Sequence, residues 1–119
     1  MNEDDNPKII KKDEMDEKLD QALNEALSLF KIDDNIQVGL LKLEPETRLP
    51  PDGMSEHELC HEFSYVIQGE VILGTESGEK RMKEGEMMYN KPGTKHYTYN
   101  DSSKPAKLLW FLSPPLQDQ

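Results

Sequence analysis

The chain changes its hydrophobic period once, near residue 35. Upstream, Met15, Leu19, Ala22, Leu23, Ala26, Leu27 and Phe30 recur every three or four positions in an otherwise charged segment. That spacing predicts an amphipathic helix from about Asp13 onward. Asp13 is placed to cap it, with Asp16 and Glu17 in the first turn, where carboxylates oppose the positive end of the helix dipole. Leu27–Ile32 also fits a strand entering a hairpin at Asp33-Asp34-Asn35. The helix is the better fit, and the pattern leaves the strand open.

From Ile36 the period is that of strands. Ile36-Gln37-Val38-Gly39-Leu40-Leu41-Lys42-Leu43 is followed by a loop with Pro45, Pro50 and Pro51. Short apolar runs then come at close spacing: Phe63–Gln68, Glu70–Leu73, Lys80–Met82, Met87–Asn90, His96–Asn100 and Lys107–Leu112. Gly69, Gly74, Gly78, Gly85 and Gly93 lie in or between these runs. Many short strands with glycine turns predict an all-β sandwich or small barrel. The expected organisation is an acidic arm over residues 1–34 with one helix, then a barrel over residues 35–119. Leu108-Leu109-Trp110-Phe111-Leu112 reads as a core strand, Met82, Met87 and Met88 as adaptable core filling. Tyr97 and Tyr99 are expected to face out, and the tail from Pro114 to fray.

Composition narrows the function. A length of 119 residues suits one domain with a modest core, and 34% hydrophobic residues imply a heavily solvated surface. With 24 acidic residues against 14 basic ones the net charge is −10. Such a body repels phosphate backbones and anionic lipid, so no nucleic-acid or membrane partner is expected. No apolar run approaches the roughly 20 residues that span a bilayer. The acidic start Met1-Asn2-Glu3-Asp4-Asp5 lacks the order of a signal peptide. One cysteine, Cys60, permits no intrachain disulfide, and a cytoplasmic setting is the expectation.

The chemistry sits in two stretches, His57-Glu58-Leu59-Cys60-His61-Glu62 and Lys95-His96, both at strand ends. Imidazoles with a carboxylate are the parts of a metal site that keeps positions open. The plain alternative is a solvated acidic loop, since Glu56 and Glu58 flank the same histidine.

The same stretches resemble the cupin superfamily, whose motifs are G-x5-H-x-H-x3-4-E-x6-G and G-x5-P-x-G-x2-H-x3-N. Glu62 and Gly69 fit the first, with Tyr65-Val66-Ile67-Gln68-Gly69-Glu70 as its strand and turn. His57, five before Glu62, suits its second histidine. Gly85, Gly93, His96 and Asn100 match the second motif in position. Two positions depart: Ser55 stands where the leading histidine would fall, and Lys91 stands at the proline, which is displaced to Pro92. The resemblance covers about residues 36–115 and implies a jelly-roll-like, double-stranded β-helix barrel. It implies metal ligation by His57, Glu62 and His96, with Fe, Mn, Ni or Zn favoured by such donors.

Strand parity agrees with that ligand set. Glu62, Ser64 and Val66 share one face, and His96, Thr98 and Asn100 share another. His61 then points away from Glu62, and Cys60 lies beside the site. Ser55, Ser64 and Thr98 are expected to line a small-molecule pocket as hydrogen-bonding groups. Two functions follow. One is a metal-dependent enzyme of dioxygenase, isomerase or lyase type acting on a small molecule. The other is a non-catalytic ligand-binding or sensing barrel, with or without metal. Glu62–Gly69 with Lys107–Pro115 is also similar to the cupin half of certain transcription regulators, but an acidic arm stands where their helix-turn-helix would be. Exposed sheet edges and the apolar stripe of the arm predict a homodimer.

Overall fold

The computed structural model of the chain describes residues 5–116. One helix, α1 (Lys12–Gln21), precedes nine strands. These are β1 (Leu27–Ile32), β2 (Ile36–Leu43), β3 (Thr47–Leu49), β4 (His61–Gln68), β5 (Glu70–Thr75), β6 (Gly78–Lys83), β7 (Met87–Asn90), β8 (His96–Asn100) and β9 (Ala106–Ser113). They form a five-stranded sheet in the order β1-β2-β9-β4-β7 and a four-stranded sheet in the order β3-β8-β5-β6. Every pairing is antiparallel. The all-β, jelly-roll expectation therefore holds, with 49% of the described residues in strands and 10% in helix.

The core lies between the sheets and follows from alternation along each strand. Leu41, Leu43, Val66, Leu108, Trp110 and Leu112 come from the larger sheet, Val71 and Met82 from the smaller. In β9 the pattern is strict: Ala106, Leu108, Trp110 and Leu112 are buried, and the residues between them are half-buried on the outer face. Trp110 fits because its partner across β2 is Gly39, whose missing side chain leaves room for the indole. A Cβ there would collide with the ring and with the Leu27 carbonyl.

The arm departs from the sequence expectation. The helix starts one residue before Asp13 and no side chain caps it; Asp13 and Glu14 occupy the first turn instead. It stops at Gln21, well before Phe30, because Asn24 is taken by β2. The Asn24 backbone N–H donates to the Lys42 carbonyl at 2.9 Å, and its side-chain oxygen accepts from the Glu44 N–H at 2.8 Å. Leu27–Ile32 then forms the strand alternative, β1, paired with β2 around the Asp33-Asp34-Asn35 turn. The helix lies against the outside of β2 through buried Leu19. Asp20 meets Lys42 at 3.0 Å and Asp16 approaches Lys107 at 3.9 Å. Such exposed pairs add only about 0–1 kcal/mol each, so the Leu19 contact carries most of the docking.

Three smaller expectations fail. β3 forms inside the proline-rich loop, because Thr47–Leu49 pairs with β8. Met87 is not core filling; it is 60% exposed on the outer face, while Met82 is buried. The tail is held as far as it is described: Pro115 is buried and the Leu116 N–H donates to Gln37 Oε1 at 3.2 Å. Residues 1–4 of the arm and 117–119 of the tail lie outside the described residues.

Candidate metal centre

The chain changes sheet between Ser55 and His61, and the candidate ligands are grouped around that crossing. Ser55 is bridged to β8 of the smaller sheet, its N–H donating to the His96 carbonyl at 2.8 Å and its carbonyl accepting from the His96 N–H at 2.9 Å. Glu62 follows on β4 of the larger sheet. His57 lies between, and its carbonyl accepts from both Cys60 N–H, at 3.3 Å, and Gly93 N–H, at 3.0 Å. Gly93 makes that contact with φ at +81°, a left-handed conformation open to glycine at little cost. The two stretches singled out in the sequence are thus tied together by backbone before any side chain takes part.

One ligating atom each from His57, Glu62 and His96 fall within 4.8 Å of one another. The imidazole rings of His57 and His96 meet edge-on at 5.3 Å between centroids. His96 is buried, and the other two are half-buried.

The protonation pattern is informative. His96 Nδ1 lies 2.9 Å from the Thr94 carbonyl, which can only accept, so Nδ1 carries the hydrogen. In the neutral ring Nε2 then presents a lone pair, and it faces Glu62 Oε1 at 3.0 Å. The contact lacks hydrogen-bond geometry, and Oε1 is buried with no hydrogen-bond partner. Two acceptors held this close call for positive charge between them, either a proton or a metal ion. Burial pushes the His57 imidazole below its usual pKa; Glu62 opposes that shift and His96 adds to it. A neutral His57 keeps a lone pair on one ring nitrogen, as ligation requires. The donor set and the orphaned carboxylate oxygen therefore fit a divalent transition metal.

The other sequence candidates are also placed. Ser55, opposite His96 across the bridge, shares its face of the sheet. Ser64 is buried opposite Trp110, and Thr98 is half-buried opposite Leu73, so both belong to the inner faces of their sheets. His61 points outward as parity required: its Nδ1 pairs with the Tyr89 hydroxyl at 2.6 Å and its ring stacks on Tyr89. Cys60 is buried in the core, where burial first and Glu62 second raise its thiol pKa and keep it protonated. It is not among the grouped ligands.

Asn100, the last position of the second motif, is a framework residue. Fully buried, it donates to the Leu43 and Lys104 carbonyls at 3.0 and 2.8 Å. Its oxygen accepts from the Ser102 N–H at 3.0 Å and the Ser102 hydroxyl at 2.8 Å. It fastens β8 to β2 and to the turn before β9. Sequence reasoning missed Thr94, which orients His96; the signal was its place two residues ahead of the histidine, in the loop that opens β8.

Comparison with known proteins agrees with this architecture. The solved structure of BH2720 from Bacillus halodurans is similar as a fold, at 18% identity and a TM-score of 0.73, covering 95% of this chain and 86% of that one. The Cnp3 cupin domain of Schizosaccharomyces pombe superposes with a TM-score of 0.68 at 14% identity, over 76% of this chain and 64% of that one. KdgF from Halomonas sp. gives 0.66 at 17% identity, over 78% and 80%. At such identities the likeness is one of fold alone. No curated protein sequence matches the chain. The family model for the cupin domain matches residues 40–112, which covers the second half of β2, nearly all of β9, every strand between them and all three grouped ligands, and the chain belongs to the cupin family.

Proposed function

We propose that this protein is a small metal-dependent cupin that acts on a small molecule at a centre held by His57, Glu62 and His96. The observation that carries the reading is Glu62 Oε1, buried without a hydrogen bond and 3.0 Å from the lone-pair side of His96. Bound there, Fe, Mn, Ni or Zn would supply Lewis acidity, or a redox centre in the case of Fe or Mn. The chain's own part is to hold the ligands. Thr94 fixes the His96 tautomer, Gly93 and Cys60 anchor the His57 backbone, and burial keeps His57 neutral. Three protein ligands leave positions open for substrate, with Ser55, Ser64 and Thr98 on the inner faces as hydrogen-bonding groups. The type of reaction, among dioxygenase, isomerase and lyase chemistry, is not selected by this arrangement.

Metal analysis of protein purified without chelator tests the reading, together with thermal unfolding in Fe(II), Mn(II), Ni(II) and Zn(II). Near-stoichiometric metal, or a clear rise in Tm with one of these ions, is expected. No metal and no stabilisation by any of the four would favour the second reading, a binding or sensing barrel without metal. Ser55 is the observation on that side, since a third imidazole, which would be a fourth ligand, is missing at the position that faces His96.

The reading includes a homodimer in the cytoplasm. The five strands of the larger sheet carry one carboxylate, Glu62, and it points inward. Their outer face exposes Phe63 by 37%, Ile67 by 42%, Met87 by 60% and Tyr89 by 50%. In a chain of net charge −10 this is the face on which a second copy meets least repulsion.

A further inference from the structure

A cavity of about 590 Å³ opens between β6 and β7, the free edges of the two sheets. Residues facing the barrel interior line its depth. Leu73 and Met88 pack against the core. Thr75 stands opposite His96 in the β5–β8 register, and Asn90 stands opposite Glu62 in the β4–β7 register. The cavity therefore adjoins two of the three candidate ligands.

Lys80 is the unusual member. It pairs with Leu73 across β5 and β6, as Met82 pairs with Val71, and directly opposed residues share a face. Leu73, Val71 and Met82 all belong to the interior. Lys80 therefore lies on the cavity side of β6, where it lines the mouth and stays solvent-exposed, and it makes no hydrogen bond or ion pair among the described residues. Glu79 is the one carboxylate in the lining, and it is engaged outside the barrel as acceptor of the Tyr97 hydroxyl. A lone cation in a polar-rimmed cavity beside two metal-ligand positions selects for negative charge in whatever enters.

We infer that this cavity is an anion subsite, in which Lys80 pairs with a carboxylate or phosphate group of the small molecule whose other end reaches the His57–Glu62–His96 centre. The inference rests on the metal reading for what lies at that other end; the ion pair with Lys80 does not. A charge-assisted contact of this kind orients an acidic substrate and discriminates against neutral analogues.

The test is titration calorimetry on the full chain with succinate, with glycerol 3-phosphate and with neutral succinamide, and metal analysis is run on the same samples. Binding of at least one anion, with succinamide at least tenfold weaker, is expected. Lys80→Met should weaken that anion tenfold or more with metal content unchanged, and Lys80→Arg should restore most of the affinity. Whichever anion binds more tightly assigns the group as carboxylate or phosphate. Equal binding by Lys80→Met, equal binding of succinamide, or no binding of either anion overturns the inference. A lysine on an edge strand can also serve to block edge-to-edge pairing. If Lys80→Met self-associates in sedimentation while its anion binding is unchanged, that guarding role replaces the subsite. Loss of metal from the wild type with Lys80-dependent anion binding intact would remove the metal reading alone.

Discussion

Glu62 and His96 belong to different sheets, and their side chains meet across the barrel with Oε1 3.0 Å from Nε2. Thr94 holds the hydrogen of His96 on the far nitrogen, so the near one offers no N–H to the carboxylate unless the ring is protonated. A bound cation would therefore also cross-link the two sheets.

Removing a ligand should consequently abolish the part of the stability that depends on metal. His96→Ala should abolish stoichiometric metal and the metal-dependent rise in Tm while the far-UV CD spectrum stays unchanged. At a metal concentration a hundred times Kd the wild type gains about 2.7 kcal/mol, which the variant should lack. His61→Ala should keep both. Loss of metal from His61→Ala with retention by His57→Ala would move the loop ligand to the other histidine.

The depressed pKa of His57 gives metal-free stability a pH dependence of known sign. Its folded value lies below the unfolded value of about 6.5, so in the interval between them the unfolded chain binds more protons. The contribution is complete above that unfolded value and is lost as pH falls through the folded one. Chelated wild type should lose Tm below about pH 6.5 more steeply than His57→Gln. Parallel pH profiles for the two proteins would contradict the assignment to His57.

Asn100 is expected to matter for folding and not for metal. Asn100→Ala removes the donor to the buried Leu43 carbonyl, at a cost of about 1–3 kcal/mol for a buried group left unpaired, while the Lys104 carbonyl keeps the Ser102 hydroxyl. Urea unfolding should show that loss, with metal stoichiometry retained in the folded fraction. A stable but metal-free Asn100→Ala protein would place the residue in the centre instead.

Restoring the missing imidazole is a gain-of-function test. Ser55 faces the same side as His96, so Ser55→His should tighten metal binding tenfold or more, about 1.4 kcal/mol. Unchanged affinity in a competition titration would show that position 55 does not reach the ion.

The dimer is checked by sedimentation. Wild type should run at twice the 13.7 kDa chain mass, and Tyr89→Glu with Ile67→Glu should run at that mass itself. A monomeric wild type at high concentration would refute it.

Much of this architecture was legible in the sequence. The strands from Ile36 onward announce themselves by period, and Glu62, Gly69, Gly93 and His96 by spacing, because turns and ligand positions both demand fixed intervals. Leu27–Ile32 was ambiguous for a physical reason: Leu27, Leu29, Phe30 and Ile32 satisfy both periods. A tertiary contact, Asn24 on the end of β2, decides between them. β3 was hidden because Thr47–Leu49 is too short to show any period and owes its form to β8. Met87 and Met88 look alike in sequence, and only the register with Tyr65 and Ser64 sends one outward and the other in. The place of Lys80 on the cavity side of its strand was likewise invisible until β6 had a partner.

The two-way backbone bridge between Ser55 and His96 makes the stretch up to His61 a strut of fixed span, anchored in one sheet at its start and in the other at its end. Its length sets how far His57 reaches, independently of Glu62 and His96, which are fixed by strands. An insertion or deletion within this strut would reposition one ligand while leaving the other two and the core where they are. The centre is thereby adjustable by a single loop length.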